Sequence, residues 1–222
     1  MIVPQDPGDP TRAYPEQQLQ KDYPKTYGYL KRFEKALRNR SGYQQILSKR
    51  EKEFYGVMDI GTYTFAPWKV VWPWISKGIR AAVVGLFDGK PVVPEHNAFL
   101  VACDALEEAL YICALLNSSA GDFAIRSFFS TGGGGIGAPV VLEHIRIPRF
   151  DPNNPVHLRL AELSKQAHEA ARIGDEMRLR EIEAEIDLWA AKLWNLTDDE
   201  LREAQQSLAE LSETPEPIEE EE

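Results

Sequence analysis

Apolar residues recur three and four positions apart after Pro24, at Tyr27, Leu30, Phe33 and Leu37, while Lys31, Arg32, Lys35 and Arg38 fill the positions between them. That spacing puts the two sets on opposite faces of a helix, and Ser41-Gly42 supplies a stop, so the segment reads as a basic amphipathic helix. From Tyr63 to Val101 the pattern changes to β-branched and aromatic residues broken at Pro67, Gly78, Asp88-Gly89 and Pro94. Strands are predicted over Lys69–Ile75, Ala81–Phe87, Lys90–Val93 and Ala98–Ala102, all in one sheet, with Asp88-Gly89 as a tight hairpin turn. Helical spacing returns at Leu106, Leu110, Cys113 and Leu116, with Asp104 and Glu107 placed as a capping box, and a short helix is expected over Gly121–Phe129. A strand over Val140–Ile147 follows. Asn154-Pro155 then starts a helix to about Ala171, Asp175 one to about Leu193, and the capping box Thr197 to Glu200 one to about Leu211. The two longer helices are expected to pack as a hairpin or on the sheet.

These elements predict an α+β fold: a mixed or antiparallel sheet with packed helices, followed by a helical C-terminal segment and a disordered acidic tail. Pro4, Pro7, Pro10, Pro15 and Pro24 disfavour helix and sheet interiors, so residues 1–24 read as an extended lead-in. Residues 25–150 then form the α+β domain, 151–211 the helical segment and 212–222 the tail.

The 222 residues are 43% hydrophobic, enough for a core, and carry a formal net charge of −10. No apolar run approaches the roughly 20 residues of a bilayer span and no secretory signal opens the chain, so a cytoplasmic protein without a membrane partner is expected. An acidic total is unfavourable for contact with phosphates, which needs Lys and Arg. The charge is unevenly distributed, however: from Asp151 onward there are 20 acidic and 7 basic residues, whereas residues 21–90 hold 14 basic and 6 acidic ones. Any nucleic-acid contact therefore belongs to the front half.

Little catalytic chemistry is legible. The run Gly132 to Gly135 after Ser130-Thr131 lacks the Lys-Ser/Thr of a phosphate-binding loop and leads into a predicted strand, leaving a mobile connector or a loop that approaches DNA backbone. His96 and His144 have no ligating neighbours, no GxSxG serine motif occurs, and Cys103 and Cys113 form no metal or redox pair, so no metal site and no catalytic residue are assigned. Tyr63, Phe65, Trp68, Lys69, Trp72, Trp74, Lys77 and Arg80 interleave rings and cations, a mixture suited to nucleic acid. Strand alternation equally places Trp68, Val70, Trp72 and Trp74 on one face as core, with Lys69, Lys77 and Arg80 exposed.

Tyr23-Pro24-Lys25-Thr26-Tyr27-Gly28-Tyr29-Leu30 with Leu37 to Arg40, the strand Lys69-Val70-Val71-Trp72-Pro73-Trp74-Ile75, the helix end Leu115-Leu116-Asn117-Ser118, the glycine-rich turn, Ile145-Arg146-Ile147-Pro148, Ile186-Asp187 and Leu193-Trp194-Asn195-Leu196-Thr197 occur in a telling order. That order and spacing resembles the C-terminal target-recognition (specificity) region of adenine-N6 DNA methyltransferases and type IIG restriction-modification enzymes. A glycine is more usual in that family where Asn195 stands here. The resemblance implies a domain that docks on double-stranded DNA beside a methyltransferase domain or subunit, positions a flipped adenine for it and reads flanking bases. It also implies that S-adenosylmethionine belongs to the partner domain and that this chain holds no cofactor. The family's Asn/Asp-Pro-Pro-Tyr/Phe tetrad is not found in this sequence, so a non-catalytic part is expected: a split subunit, a relic or a fragment of a larger protein. Base-reading residues vary within the family, and candidates here follow from charge alone. Arg32, Lys35, Arg38 and Arg40 would position the DNA backbone; Lys69, Lys77, Arg80 and the loop Ser130, Thr131, Gly132, Gly133, Gly134 and Gly135 would approach the groove.

Two other readings stand beside this one. The acidic C-terminal helices are suited to a protein-interaction module, which would lack salt-dependent duplex binding. An enzyme of unknown type would use the glycine loop with Asp122 or Arg126.

Overall fold

The proline-rich opening residues, expected as an extended lead-in, close a small hairpin instead. The computed structural model describes residues 2–6, 8–50, 53–76, 78–95, 97–128, 142 and 145–213. It divides into two compact units, Met1–Phe65 and Ala66–Glu222. In the first unit, β1 (Gln5–Asp6) and β2 (Asp9–Ala13) pair antiparallel, with the Asp6 carboxylate accepting the Gly8 N–H at 2.8 Å. Pro24 sits in the first turn of a helix, where a missing N–H costs nothing. The hairpin is tied to the end of its unit by the Gln5 amide on the Val57 carbonyl (3.1 Å) and the Tyr55 hydroxyl on the Tyr14 carbonyl (2.7 Å).

The single helix predicted after Pro24 is divided. Helices α1 (Glu16–Asp22), α2 (Pro24–Lys31) and α3 (Glu34–Arg38) follow one another. The break comes where the Arg32 and Phe33 N–H groups turn back three residues to Tyr29 and Leu30, tightening the last turn of α2. Helical turns resume at Tyr43–Leu47 and α4 (Ser48–Arg50). Ala13, Leu19, Leu30, Tyr43, Phe54 and Tyr55 form this unit's buried core.

In the second unit β3 (Trp68–Pro73) is the central strand of an antiparallel sheet, flanked by β4 (Ala82–Val84) and β7 (Ala98–Cys103). Val70 faces Val83 on one side and Val101 on the other. Leu86–Phe87 (β5) and Lys90–Pro91 (β6) form a separate two-stranded hairpin, so the expected single sheet is two. Gly85 makes the division: a Cβ there would lie 2.3 Å from the Trp68 ring, and the chain crosses the indole only because glycine has none. The Asp88-Gly89 turn forms as expected, both residues having positive φ (50° and 71°), as a two-residue hairpin turn of this hand requires.

Helix α5 (Leu106–Asn117) begins beside Ala105 without a side-chain cap, so the capping box expected at Asp104 is not made; Glu107 and Glu108 still complement the helix dipole. Helix α6 (Ser119–Phe128) follows. The strand expected over Val140–Ile147 falls mostly outside the described residues, and its described end, Ile145–Ile147, is not in a strand. Asn154 caps α7 (Pro155–Ile173) and Asp175 caps α8 (Glu176–Trp194), each through its side chain. These two helices pack as a hairpin, one of the two arrangements expected, with Leu160, Leu163, Ala170, Ile182, Ile186 and Ala190 in a core shared with Leu110, Tyr111 and Leu115 of α5. Helix α9 (Asp198–Glu213) opens on the predicted capping box: Thr197 N–H donates to Glu200 at 2.7 Å and Glu200 N–H to the Thr197 hydroxyl at 3.3 Å. The tail expected from residue 212 begins in that helix, and 214–222 lie outside the described residues. The fold is thus α+β, with antiparallel sheets and packed helices.

Candidate nucleic-acid interface

The basic face of the first unit sorts its cations into two groups. Arg40 is half-buried: its guanidinium donates to the carbonyls of Leu37 (2.9 Å), Phe54 (3.0 Å) and Gly56 (2.9 Å), and partial burial pulls its pKa below the ordinary value. Arg38 is held by a fork to Glu34 (3.0 and 2.8 Å) and by the Tyr43 hydroxyl (2.9 Å), over the Phe54 ring. Lys31, which the sequence reading left out of the candidates, bridges Glu34 (2.8 Å) and Glu16 (3.3 Å), and these contacts, Glu34 first, hold its pKa above the usual lysine value. By contrast Arg32 and Lys35 are exposed and make no ion pair among the described residues. Lys25, about two turns before Arg32 on α2, is placed likewise. Of the four cations expected to position backbone, Arg32 and Lys35 are thus exposed without an ion pair among the described residues, whereas Arg38 is engaged by Glu34 and Arg40 by backbone carbonyls.

In the second unit Lys69 corrects an expectation. Its side chain is 1% exposed and its ammonium donates to the Ala66 carbonyl at 2.7 Å, with desolvation lowering its pKa; a group so placed cannot approach a groove. Arg80 is exposed, without an ion pair among the described residues. Lys77 and the loop Ser130, Thr131, Gly132, Gly133, Gly134 and Gly135 lie outside the described residues, as do His96 and His144. Trp72 is core at 1% exposure, whereas Trp74 on the same strand face is 44% exposed and lies against Phe99 at 5.8 Å.

Other candidate chemistry resolves into structure. Asp122 accepts the Ile79 N–H (3.0 Å) and the Arg126 guanidinium (3.1 and 3.0 Å), so the pair offered for an enzyme reading fastens α6 to the chain after β3. Burial pushes both Cys103 and Cys113 up to about 12, far from a reactive thiolate. Among the described residues no cluster of His, Cys, Asp and Glu is arranged to hold a metal, and no helix is long and apolar enough to cross a membrane.

The chain is similar to a type II methyltransferase. The relative is M.NspV of Nostoc sp. (strain ATCC 29411 / PCC 7524), 29% identical over 108 residues. The matched stretch covers 49% of this chain and spans only 21% of that protein's length. No family model matches the chain.

Sequence reasoning passed over three features of the second unit. The Asn117 side chain clamps Ala81, accepting its N–H and donating to its carbonyl, both at 2.8 Å. Asp187 gathers the Ser119 N–H (2.6 Å), the Ser119 hydroxyl (2.6 Å) and the Gln205 amide (2.8 Å), joining α6, α8 and α9. Both residues fall in segments that carried the family resemblance, which was the available signal. The third is a cleft of about 530 Å³ lined by Phe123, Ala124, Ile145, Trp194, Leu196 and Ala204, with Arg146, Glu200 and Glu203 as its charged groups.

Proposed function

We propose that this chain supplies sequence-specific DNA recognition for an adenine-N6 methyltransferase or a restriction-modification enzyme. In this reading S-adenosylmethionine and the methyl transfer belong to a methyltransferase domain or subunit that partners it. The observation that carries the proposal is the likeness, over 49% of the chain, to a type II methyltransferase. Arg32 and Lys35, exposed and without an ion pair among the described residues, support it, because exposed charge not spent on carboxylates is what phosphate contact requires. Arg80, Lys77 and the loop Ser130–Gly134 are proposed to approach the groove from the second unit.

The test is fluorescence anisotropy of the full chain on duplex DNA across a salt series. Each phosphate neutralised contributes roughly 0.9 to the slope of log K against log salt, so Arg32→Glu with Lys35→Glu is expected to weaken binding and flatten the slope by about 2. An unchanged slope would remove these residues from the interface. Duplex binding that is absent even at low salt would overturn the reading itself.

A protein-interaction module is the second reading, favoured by the apolar cleft beside Glu200 and Glu203 on α9. It differs in requiring no duplex binding.

A further inference from the structure

Tyr29 and Phe33 are 51% and 47% exposed, and their rings meet at 5.2 Å with a 58° tilt. Neither belongs to the core of the first unit, which takes Leu30, Tyr27 and Leu37 from the same helices. Lys25, Tyr29 and Arg32 follow one another at spacings of four and three, so they share one face of α2, away from Leu30. Phe33 adds its ring to Tyr29 at the end of that face.

An intact duplex presents phosphates and base edges and hides the faces of its bases by stacking them on each other. The faces of two half-exposed rings, beside cations that make no ion pair among the described residues, find on such a duplex only the thymine methyl as an apolar partner. Unpaired nucleotides supply more, because every base then offers a π face to a ring while its phosphate meets a cation. Accordingly, we propose that Tyr29 and Phe33, with Lys25 and Arg32, form a stacking site for unpaired bases of DNA at a locally opened duplex. The inference rests on the DNA-recognition reading and adds to it a ligand class: the opened strand as well as the duplex.

The experiment compares the full chain on three labelled DNAs: a paired duplex, the same duplex with a short central mismatch bubble, and one isolated strand. Wild type is expected to bind the bubble about tenfold or more tightly than the paired duplex, the scale of one stacked base. Tyr29→Leu with Phe33→Leu keeps apolar bulk and removes the π faces; it should abolish that preference and leave paired-duplex affinity unchanged. Tyr29→Phe should retain the preference. Equal affinity of wild type for bubble and duplex, or a preference that survives the double leucine change, would overturn the stacking site while salt-dependent duplex binding keeps the recognition reading. No binding to any of the three DNAs would overturn both.

Discussion

Replacing Arg40 by alanine removes a guanidinium that joins the end of α3 to the segment containing Phe54 and Gly56 through three backbone carbonyls. A hydrogen bond from a charged donor contributes about 1.5–3 kcal/mol when buried, but this side chain is only half-buried and water recovers part of each loss, so the total is about 2–4 kcal/mol. Against the 5–15 kcal/mol typical of a whole domain, that is a large share. Arg40→Lys retains one contact and gives up the fork, so about half of the loss is expected. All five tryptophans lie beyond residue 65, so none reports from within this unit. Hydrogen exchange read by mass spectrometry does: amides around Leu30 and Tyr43–Tyr55 should lose protection in Arg40→Ala, while those of α7 and α8 keep theirs. Unchanged exchange around Tyr55 would refute the latch and return Arg40 to the list of free cations.

The buried ammonium of Lys69 donates to the Ala66 carbonyl, so Lys69→Met should cost about 1 kcal/mol or less and leave the salt slope of DNA binding unaltered; a slope flatter by about 1 would place Lys69 on DNA after all. Asn195 caps α8 with φ 55° and ψ 38°, a left-handed conformation that glycine adopts at no cost, so Asn195→Gly should raise stability or leave it unchanged, and a fall of more than about 1 kcal/mol in denaturant unfolding would contradict this. His157 is buried on Tyr111 at 4.6 Å and its Nδ1 accepts the Asp151 N–H at 3.0 Å, with burial lowering its pKa against a smaller opposing effect of Asp151. Because the folded state prefers the neutral ring, its contribution is complete above the ordinary histidine value of about 6.5 and is lost as pH falls below it. His157→Asn keeps an acceptor without the titration, so its melting temperature should drop less than that of wild type between about pH 7 and about pH 5; parallel drops would count against the assignment.

The elements that local chemistry determines were legible in the residues: the Asp88-Gly89 hairpin, the Asn154 and Asp175 caps, the capping box at Thr197 and the pairing of α7 with α8. What escaped depends on contacts distant in sequence. Prolines disfavour regular structure locally, yet the opening residues fold because Val57 and Tyr55, some 40–50 positions on, supply partners for Gln5 and Tyr14. Charge pattern identified a basic front half but not which cations are free, since Glu16 and Glu34 claim Lys31 and Arg38 only once the helices have packed. Lys69 shows the same limit from the other side: alternation put it opposite Trp68 and Val70, which implied exposure, whereas both sides of β3 are covered at that position. Asn195 is the reverse case, where the family's preference for glycine already pointed to the backbone angle found.

The central claim is sequence-specific recognition, and selection from a randomised duplex pool by the full chain tests it most directly. Repeated rounds at moderate salt should enrich one short motif shared by the retained duplexes. Retained duplexes without a common motif, or no retention at all, would contradict the claim.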